Sequence, residues 1–508
     1  MVKKWLAILN NIDNKDFWVV LLLVVLNILP RLTYIFNGGF FIDGDEAILG
    51  TAVQDLVSNH HLQIFLYGQT YGFVPFEVLA SSILSFFFGI NIFTMKMAML
   101  FFWLASVVMM YYIGKKIFNS RRLAGLAVIF ISFTPIWFDW ATKARIGYLL
   151  AMMISNIIIL LTFSRKNIVR PVAISVLLII IYYAQPLWLI IVAPFIIYYF
   201  FKDSNYKYAV IFGASSLMLW LASRLFLSAI GFSYQLQSKL GLSQVARNLK
   251  NIFNHYAAAY SGQFFDAANL PLNYLTGLVG IIFIGILLLT IIYNLYLAKV
   301  KKLGPVNIIF FSSVLLYMLF MLFYNDAEYA YRYLLPVFIP AIFLIILTIK
   351  QIPKEPLRKK IYVGLIFYIL LSLVSGIYFY VYPFPAIKDG YSEVERIKSL
   401  EEFLSENNIK CVYALDWITS QHINYFMPEI SVRHKDIDPR RPGDSSKVDQ
   451  SAAQSNNCAL VGLWYQLPLF TSLYKLDDII VINKRYIAHL RPQREALEKL
   501  KFKLTIPR

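Results

Sequence analysis

Long apolar runs separated by short polar segments dominate the chain. A helix needs about 20 apolar residues to cross a bilayer, because hydrocarbon offers no partner for free backbone groups. Runs of that kind predict spans at Phe17–Phe36, Ile92–Gly114, Leu123–Phe138, Ile146–Phe163, Pro171–Ala184, Pro186–Phe201, Tyr208–Leu227, Asn273–Leu297, Val306–Tyr324, Leu334–Ile349 and Ile361–Tyr382. The pair flanking Gln185-Pro186 is short for crossing. Phe73–Ile90 is apolar enough to span, but it carries Pro75 and Glu77 near its start, and counting it would reverse every later loop. It therefore reads as a re-entrant or juxtamembrane helix. The expectation is a polytopic α-helical membrane domain over residues 1–382, with about 11–13 transmembrane helices. The first run lacks a small-x-small cleavage site before Asn37 and reads as a retained span. No internal repeat of the transporter kind is visible.

Beyond Tyr382 the pattern changes to mixed polar and short apolar stretches. Ser392–Asn407 predicts an amphipathic helix, Cys411–Leu415 a buried strand and Ile418–Phe426 a second helix. Ala459–Leu463 and Ile479–Ile482 predict further strands, with Arg433–Asn457 a polar loop. Residues 383–508 are thus expected to form a small α/β domain. Its Cys411 and Cys458 fall on candidate neighbouring strands, where a disulfide and two buried thiols are both open readings.

Composition narrows the class. Apolar residues make up 59% of the 508 and charged residues only 15%, against roughly 25% charged in soluble proteins. Mean hydropathy is +0.61. A free cytosolic enzyme, a secreted domain and a DNA-binding protein are excluded, the last despite a net charge of +18. That charge is placed as membrane topology requires. Basic clusters at Lys3/Lys4/Lys15, Lys115/Lys116/Arg121/Arg122, Arg165/Lys166/Arg170, Lys202/Lys207, Lys299/Lys301/Lys302 and Lys350/Lys354/Arg358/Lys359/Lys360 all fall on one side if the N-terminus is cytoplasmic. The same parity sets the first loop, residues 37–91, and the C-terminal domain outside. Two cysteines build neither a disulfide framework nor a zinc site.

Candidate chemistry concentrates in the external loops. Asp43, Asp45 and Glu46 follow the first span, and carboxylates at a membrane surface tend to face a cavity because burying them in hydrocarbon is costly. Helical character resumes over Glu46–Ser58, which would put Asp45 near an N-cap, so capping and catalysis compete as its role. Asp43-Gly44-Asp45 also forms a D-x-D string, too short for an oxygen-ligand metal site. Farther on come Tyr67-Gly68-Gln69 and Tyr71-Gly72, suited to sugar stacking or to an interfacial aromatic belt. Lys96 follows, placed either to snorkel or to bind phosphate. The loops around Asp139–Tyr148 and Asn325–Pro336 carry Lys143, Arg145 and Arg332 on the side where basic residues are scarce. Such cations suit a lipid phosphate at the boundary. Pairing of Arg332 with Glu328 at i,i+4 is the competing reading.

Gly44-Asp45-Glu46-Ala47, Tyr67-Gly68-Gln69-x-Tyr71-Gly72, Arg145-Ile146-Gly147-Tyr148 and Tyr331-Arg332-Tyr333-Leu334-Leu335-Pro336, in this order and all external, resemble the polyprenyl-phosphate-dependent GT-C glycosyltransferases. Within them the chain is most similar to the family 39 group of protein O-mannosyltransferases and aminoarabinose transferases. The resemblance implies an enzyme of the plasma (inner) membrane with an extracytoplasmic active site. It would move a sugar, with inversion, from a polyprenyl-phosphate donor to a glycan, lipid or protein acceptor, among membrane lipids and without nucleic acid. Asp45 matches the catalytic base and Glu46 the adjacent acid. Lys143, Arg145, Arg332 and Lys96 would hold the donor phosphate. Asp43, Gln69, Tyr71, Glu328 and Tyr331 would contact substrate, and neither cofactor nor metal is expected. Two departures matter. Gly147-Tyr148 stands where lipid-modifying members have a further Asp, with Asp139 nearby but out of step. Val74-Pro75 stands where protein mannosyltransferases have a His-Pro-Pro element. A flippase of lipid-linked sugars, a non-catalytic envelope-glycan subunit and an oligosaccharide ligase are the alternatives.

Overall fold

The computed structural model describes residues 14–36, 42–65, 72–164, 167–201, 206–229, 241–261, 273–324, 331–380, 393–434 and 457–502. The helices of the first part are α1 (Asn14–Phe36), α2 (Gly44–Asn59), α3 (Pro75–Phe88), α4 (Ile92–Phe118), α5 (Arg121–Ser132), α6 (Ile136–Trp140), α7 (Tyr148–Thr162), α8 (Val169–Ala184) and α9 (Leu187–Phe201). They continue with α10 (Tyr206–Ala229), α11 (Leu242–Ser261), α12 (Asn273–Lys299), α13 (Pro305–Phe323), α14 (Leu335–Lys350) and α15 (Glu355–Tyr380). The C-terminal elements are α16 (Glu393–Glu406), β1 (Cys411–Ala414), α17 (Trp417–Phe426), β2 (Ser431–His434), β3 (Cys458–Leu463), α18 (Leu467–Thr471), β4 (Ile480–Ile482), β5 (Tyr486–Leu490) and α19 (Arg494–Lys499).

Seven of the described helices are long and apolar enough to cross a membrane, and α3, α7, α8 and α9 are shorter apolar helices. The protein is an integral membrane protein. Every apolar run identified above is helical, but the third is broken: α5 ends at Ser132 and α6 starts only after Pro135. A break at membrane depth frees carbonyls that must be satisfied from within the protein. Arg31 does this. Its Nη2 donates to Ser132 O at 2.7 Å and to Trp137 O at 3.2 Å, and its guanidinium lies 5.0 Å from the Trp103 ring and 5.3 Å from that of Phe138. Helix α11 lies where no continuous apolar run predicts an element. It buries Ile252, Tyr256 and Tyr260 along one stripe and leaves Leu249 and Phe253 exposed. Its Asn248 side chain donates to the carbonyls of Met321, Leu322 and Tyr324, closing the end of α13.

By contacts the chain divides into two compact units. One comprises residues 1–39, 99–143 and 147–384; the other comprises 40–98, 144–146 and 385–508. The first loop, grouped with the membrane helices on sequence, thus packs in one unit with the C-terminal residues. The core of the membrane unit is aromatic, with Tyr260 stacked on Phe283 at 4.0 Å and both against Phe338.

The second unit is built on a five-stranded sheet of order β2-β1-β3-β5-β4. Strands β1, β2 and β3 are parallel, and β5 runs antiparallel to β3 and β4. One face buries Val412, Ala414 and Val461 under Leu400 and Leu404 of α16 and Ile423 of α17. The other buries Tyr413 and Leu460 under Phe470 of α18 and Leu497 of α19. Cys411 and Cys458 are register partners on β1 and β3 and are joined as a disulfide. The expected loop Arg433–Asn457 needs correction at its start, because Arg433 and His434 complete β2; residues 435–456 lie outside the described residues. Parallel pairing with β1 accounts for that strand, which a four-residue polar sequence does not advertise.

Candidate active site

Helix α2 starts where an acceptor side chain is followed three residues later by a glutamate, the sequence of a capping box. Asp43 is the N-cap: its Oδ1 accepts from the backbone N–H of Asp45 and of Glu46, each at 3.0 Å. Glu46 reaches back to the Asp43 N–H at 3.3 Å. Asp45, expected near the cap, stands two residues inside the helix, so its carboxylate is not spent on the helix end. Capping, the competing role for Asp45, belongs to Asp43.

The remaining contacts separate the three carboxylates further. Glu46 Oε1 accepts from Lys96 Nζ at 2.9 Å and from the Ala144 N–H at 2.8 Å. Both side chains of this ion pair are almost fully buried, Lys96 at 1% and Glu46 at 2% exposure. Arg145 Nε donates to Asp43 Oδ2 at 2.7 Å and lies 3.7 Å from Asp45 Oδ2. Asp45 keeps 30% of its side chain exposed. One open carboxylate therefore stands beside a guanidinium, on a base of two carboxylates already engaged. Such an arrangement can take a proton from a hydroxyl while leaving a cation close by for an anionic group.

Helix α17 seats this motif, which sequence reasoning did not foresee. A Cβ on Gly44 would come within 2.6 Å of Trp417 Nε1, so only glycine lets α2 approach the indole. His422 Nε2 donates to Ile42 O at 2.8 Å, and its Nδ1 is 3.0 Å from the Tyr486 hydroxyl. Gln54 Nε2 donates to Tyr425 O at 2.9 Å.

The other candidates lie in the membrane unit or outside the described residues. Lys143 Nζ pairs with Asp139 Oδ2 at 3.0 Å, and the Tyr34 hydroxyl donates to Asp139 Oδ1 at 2.9 Å. Asp139 is thus a partner of Lys143. The Arg332 guanidinium lies 5.1 Å from the Tyr333 ring. Gln69, Tyr71 and Glu328, and with it the Arg332–Glu328 pairing, lie outside the described residues, as does the Tyr331 side chain. Among the described residues no group of three or more His, Cys, Asp or Glu is disposed to hold a metal ion.

The fold is of the GT-C type. The chain is similar to ArnT from Cupriavidus metallidurans in the apo state, with TM-score 0.53 and 12% identity over 95% of this chain and 100% of that one. Against the same protein bound to undecaprenyl phosphate the TM-score is 0.55, with 10% identity over 96% and 99% of the two chains. The Archaeoglobus fulgidus oligosaccharyltransferase, in complex with zinc and sulfate, gives a TM-score of 0.50 and 13% identity over 91% of this chain and 70% of that one. At these identities the likeness establishes the fold. No protein-family model matches the chain, and no curated protein sequence matches it.

Proposed function

We propose that the chain is a membrane glycosyltransferase that takes its sugar from a polyprenyl-phosphate donor and uses Asp45 as general base. One observation carries the reading: of the three carboxylates in the motif, Asp45 alone has an open side chain and no role in the helix cap. The undecaprenyl phosphate held by the similar ArnT structure supports the donor class. The Cys411–Cys458 disulfide supports an oxidising, extracytoplasmic setting for this unit.

In the reaction, Asp45 removes the proton of an acceptor hydroxyl as its oxygen bonds to the anomeric carbon. The bond from that carbon to the phosphate oxygen breaks, with inversion, and polyprenyl phosphate leaves as an anion. Base assistance of this kind contributes about 10²–10⁴-fold. Arg145, 3.7 Å from Asp45, is a cation placed for the growing phosphate charge. Lys96 is reassigned: buried against Glu46, it positions the motif instead of meeting donor. Glu46 is likewise a positioning residue, because its oxygens already accept from Lys96, Ala144 and Asp43.

The test is a mass-spectrometric comparison of envelope glycans and lipids from the parent strain, a deletion strain, and that strain carrying Asp45→Asn. A sugar modification present in the parent, absent from the deletion and not restored by Asp45→Asn is expected. Full restoration by the variant would remove the base.

A further inference from the structure

One peptide unit joins Ile42 to Asp43, the residue that caps α2, and side chains hold both of its polar groups. Its N–H donates to Glu46 Oε2 at 3.3 Å. Its carbonyl, Ile42 O, accepts from His422 Nε2 at 2.8 Å. Ile42 and His422 are both 0% exposed, so water cannot stand in for that donor. A peptide plane gripped at both ends cannot rotate without leaving a buried polar group unpaired. Rotation here would swing the Asp43 side chain. With it would go the Arg145 guanidinium, which Asp43 Oδ2 holds at 2.7 Å and which stands 3.7 Å from Asp45.

An imidazole suits this place because it needs one donor and one acceptor. A carbonyl can only accept, so Nε2 carries the proton, and Nδ1 then accepts from the Tyr486 hydroxyl at 3.0 Å. Tyr486 is 0% exposed and is itself fixed on β5, in register with Leu463 of β3 and Ile482 of β4. The run from Tyr486 through His422 to Ile42 thus ties the acidic motif to the C-terminal sheet. Helix α17 lies along α2 to make this possible. Trp417, Gln421 and Tyr425, at four-residue spacing, form its contact stripe. A Cβ on Gly44 would come within 3.5 Å of Gln421 Cγ, and one on Gly50 within 2.4 Å of Tyr425 Cε2.

We infer that His422 is a positioning residue for the transfer: it sets the Ile42–Asp43 peptide and thereby how Asp45 and Arg145 face each other. Its effect on turnover rests on the proposed role of Asp45; its effect on the motif rests on hydrogen-bond geometry alone. Two readouts on the full-length protein in detergent test it. The first is the rate of carbodiimide coupling to Asp45, followed by peptide mass spectrometry, since that side chain is 30% exposed while Asp43 and Glu46 are buried. The second is single-turnover transfer on the lipid and glycan extract of the deletion strain. His422→Phe keeps a ring but has neither polar atom. It should change the coupling rate severalfold and slow transfer by about 10²-fold, the loss a misplacement of about 1 Å can bring, with binding of undecaprenyl phosphate unchanged. His422→Gln, whose amide can still donate to Ile42 O and accept from Tyr486, should return both readouts to within a few-fold of wild type. Wild-type values in both readouts for His422→Phe, or for Tyr486→Phe should the former not fold, would overturn the inference. So would a loss in His422→Phe that His422→Gln does not restore and that follows a lower melting temperature or weaker undecaprenyl phosphate binding, since the role would then be support of the fold alone. Wild-type turnover by Asp45→Asn would instead overturn the transferase reading and leave the coupling result standing.

Discussion

Removing the Lys96 ammonium is the sharpest perturbation of the site's foundation. Lys96 and Glu46 are 1% and 2% exposed and 2.9 Å apart, so Lys96→Met leaves a buried carboxylate without its counter-charge. Breaking one partner of such a pair costs about 3–5 kcal/mol. The Ala144 and Asp43 N–H groups still face Glu46 but cannot neutralise it. A second change, Glu46→Gln, removes the stranded charge, and its side-chain oxygen still accepts from a backbone N–H. The double variant should therefore recover stability relative to the sum of the singles, with a coupling of about 2–3 kcal/mol in a double-mutant cycle. Unfolding of the four proteins in detergent, followed by circular dichroism, measures it. Additive single effects would refute the reasoning and return Lys96 to the phosphate-binding role that its sequence position suggests. In that case Lys96→Met would raise the donor KM and leave stability unchanged.

Three further outcomes are expected. Arg31→Leu strips the donors from Ser132 O and Trp137 O, at about 1–3 kcal/mol for each carbonyl left unpaired, and should lower the detergent melting temperature of the whole protein. Burial holds the His489 imidazole below its ordinary pKa of 6.5, stacked 3.6 Å from Tyr474. The stability this contributes is present above the unfolded value and is lost as pH falls through the lowered folded value. Acidification below about 6.5 should thus destabilise the C-terminal unit in wild type, and less so in His489→Phe. Reduction of the Cys411–Cys458 bond, or Cys411→Ala/Cys458→Ala, opens a link across 47 residues and should cost about 2–4 kcal/mol, seen as a lower denaturation midpoint.

Much of the membrane part was legible because hydrocarbon imposes continuous apolar runs, as in α1, α4, α12 and α15. Elements without such a run escaped. Helix α11 alternates exposed Arg247 and Lys250 with buried Ile252 and Tyr256, and its stripe at three- and four-residue spacing was the available signal. The break before α6 was marked by Thr134-Pro135, yet its stabiliser, Arg31, lies 101 residues from Ser132 and no local rule links them. In the site, the Asp43-to-Glu46 spacing is itself the capping signature, and it makes Asp43 the cap where capping and catalysis compete for Asp45 on sequence. Charge asymmetry singles out Arg145, which does meet the acidic motif, but it says nothing of partners. Snorkelling and phosphate binding are thus the readings open to Lys96 on sequence, and its pairing with Glu46 is not among them. The seating by α17 depends on His422 meeting Ile42 across 380 residues, a contact only the tertiary fold creates.

Single-turnover sugar transfer by purified protein, with the donor prebound and the acceptor fraction of the deletion strain added, tests the central claim most directly. Asp45→Asn should slow the transfer step by about 10²–10⁴-fold while the donor binds as in wild type. A rate for Asp45→Asn within a few-fold of wild type would contradict the account, because no other carboxylate of the motif is open to serve as the base.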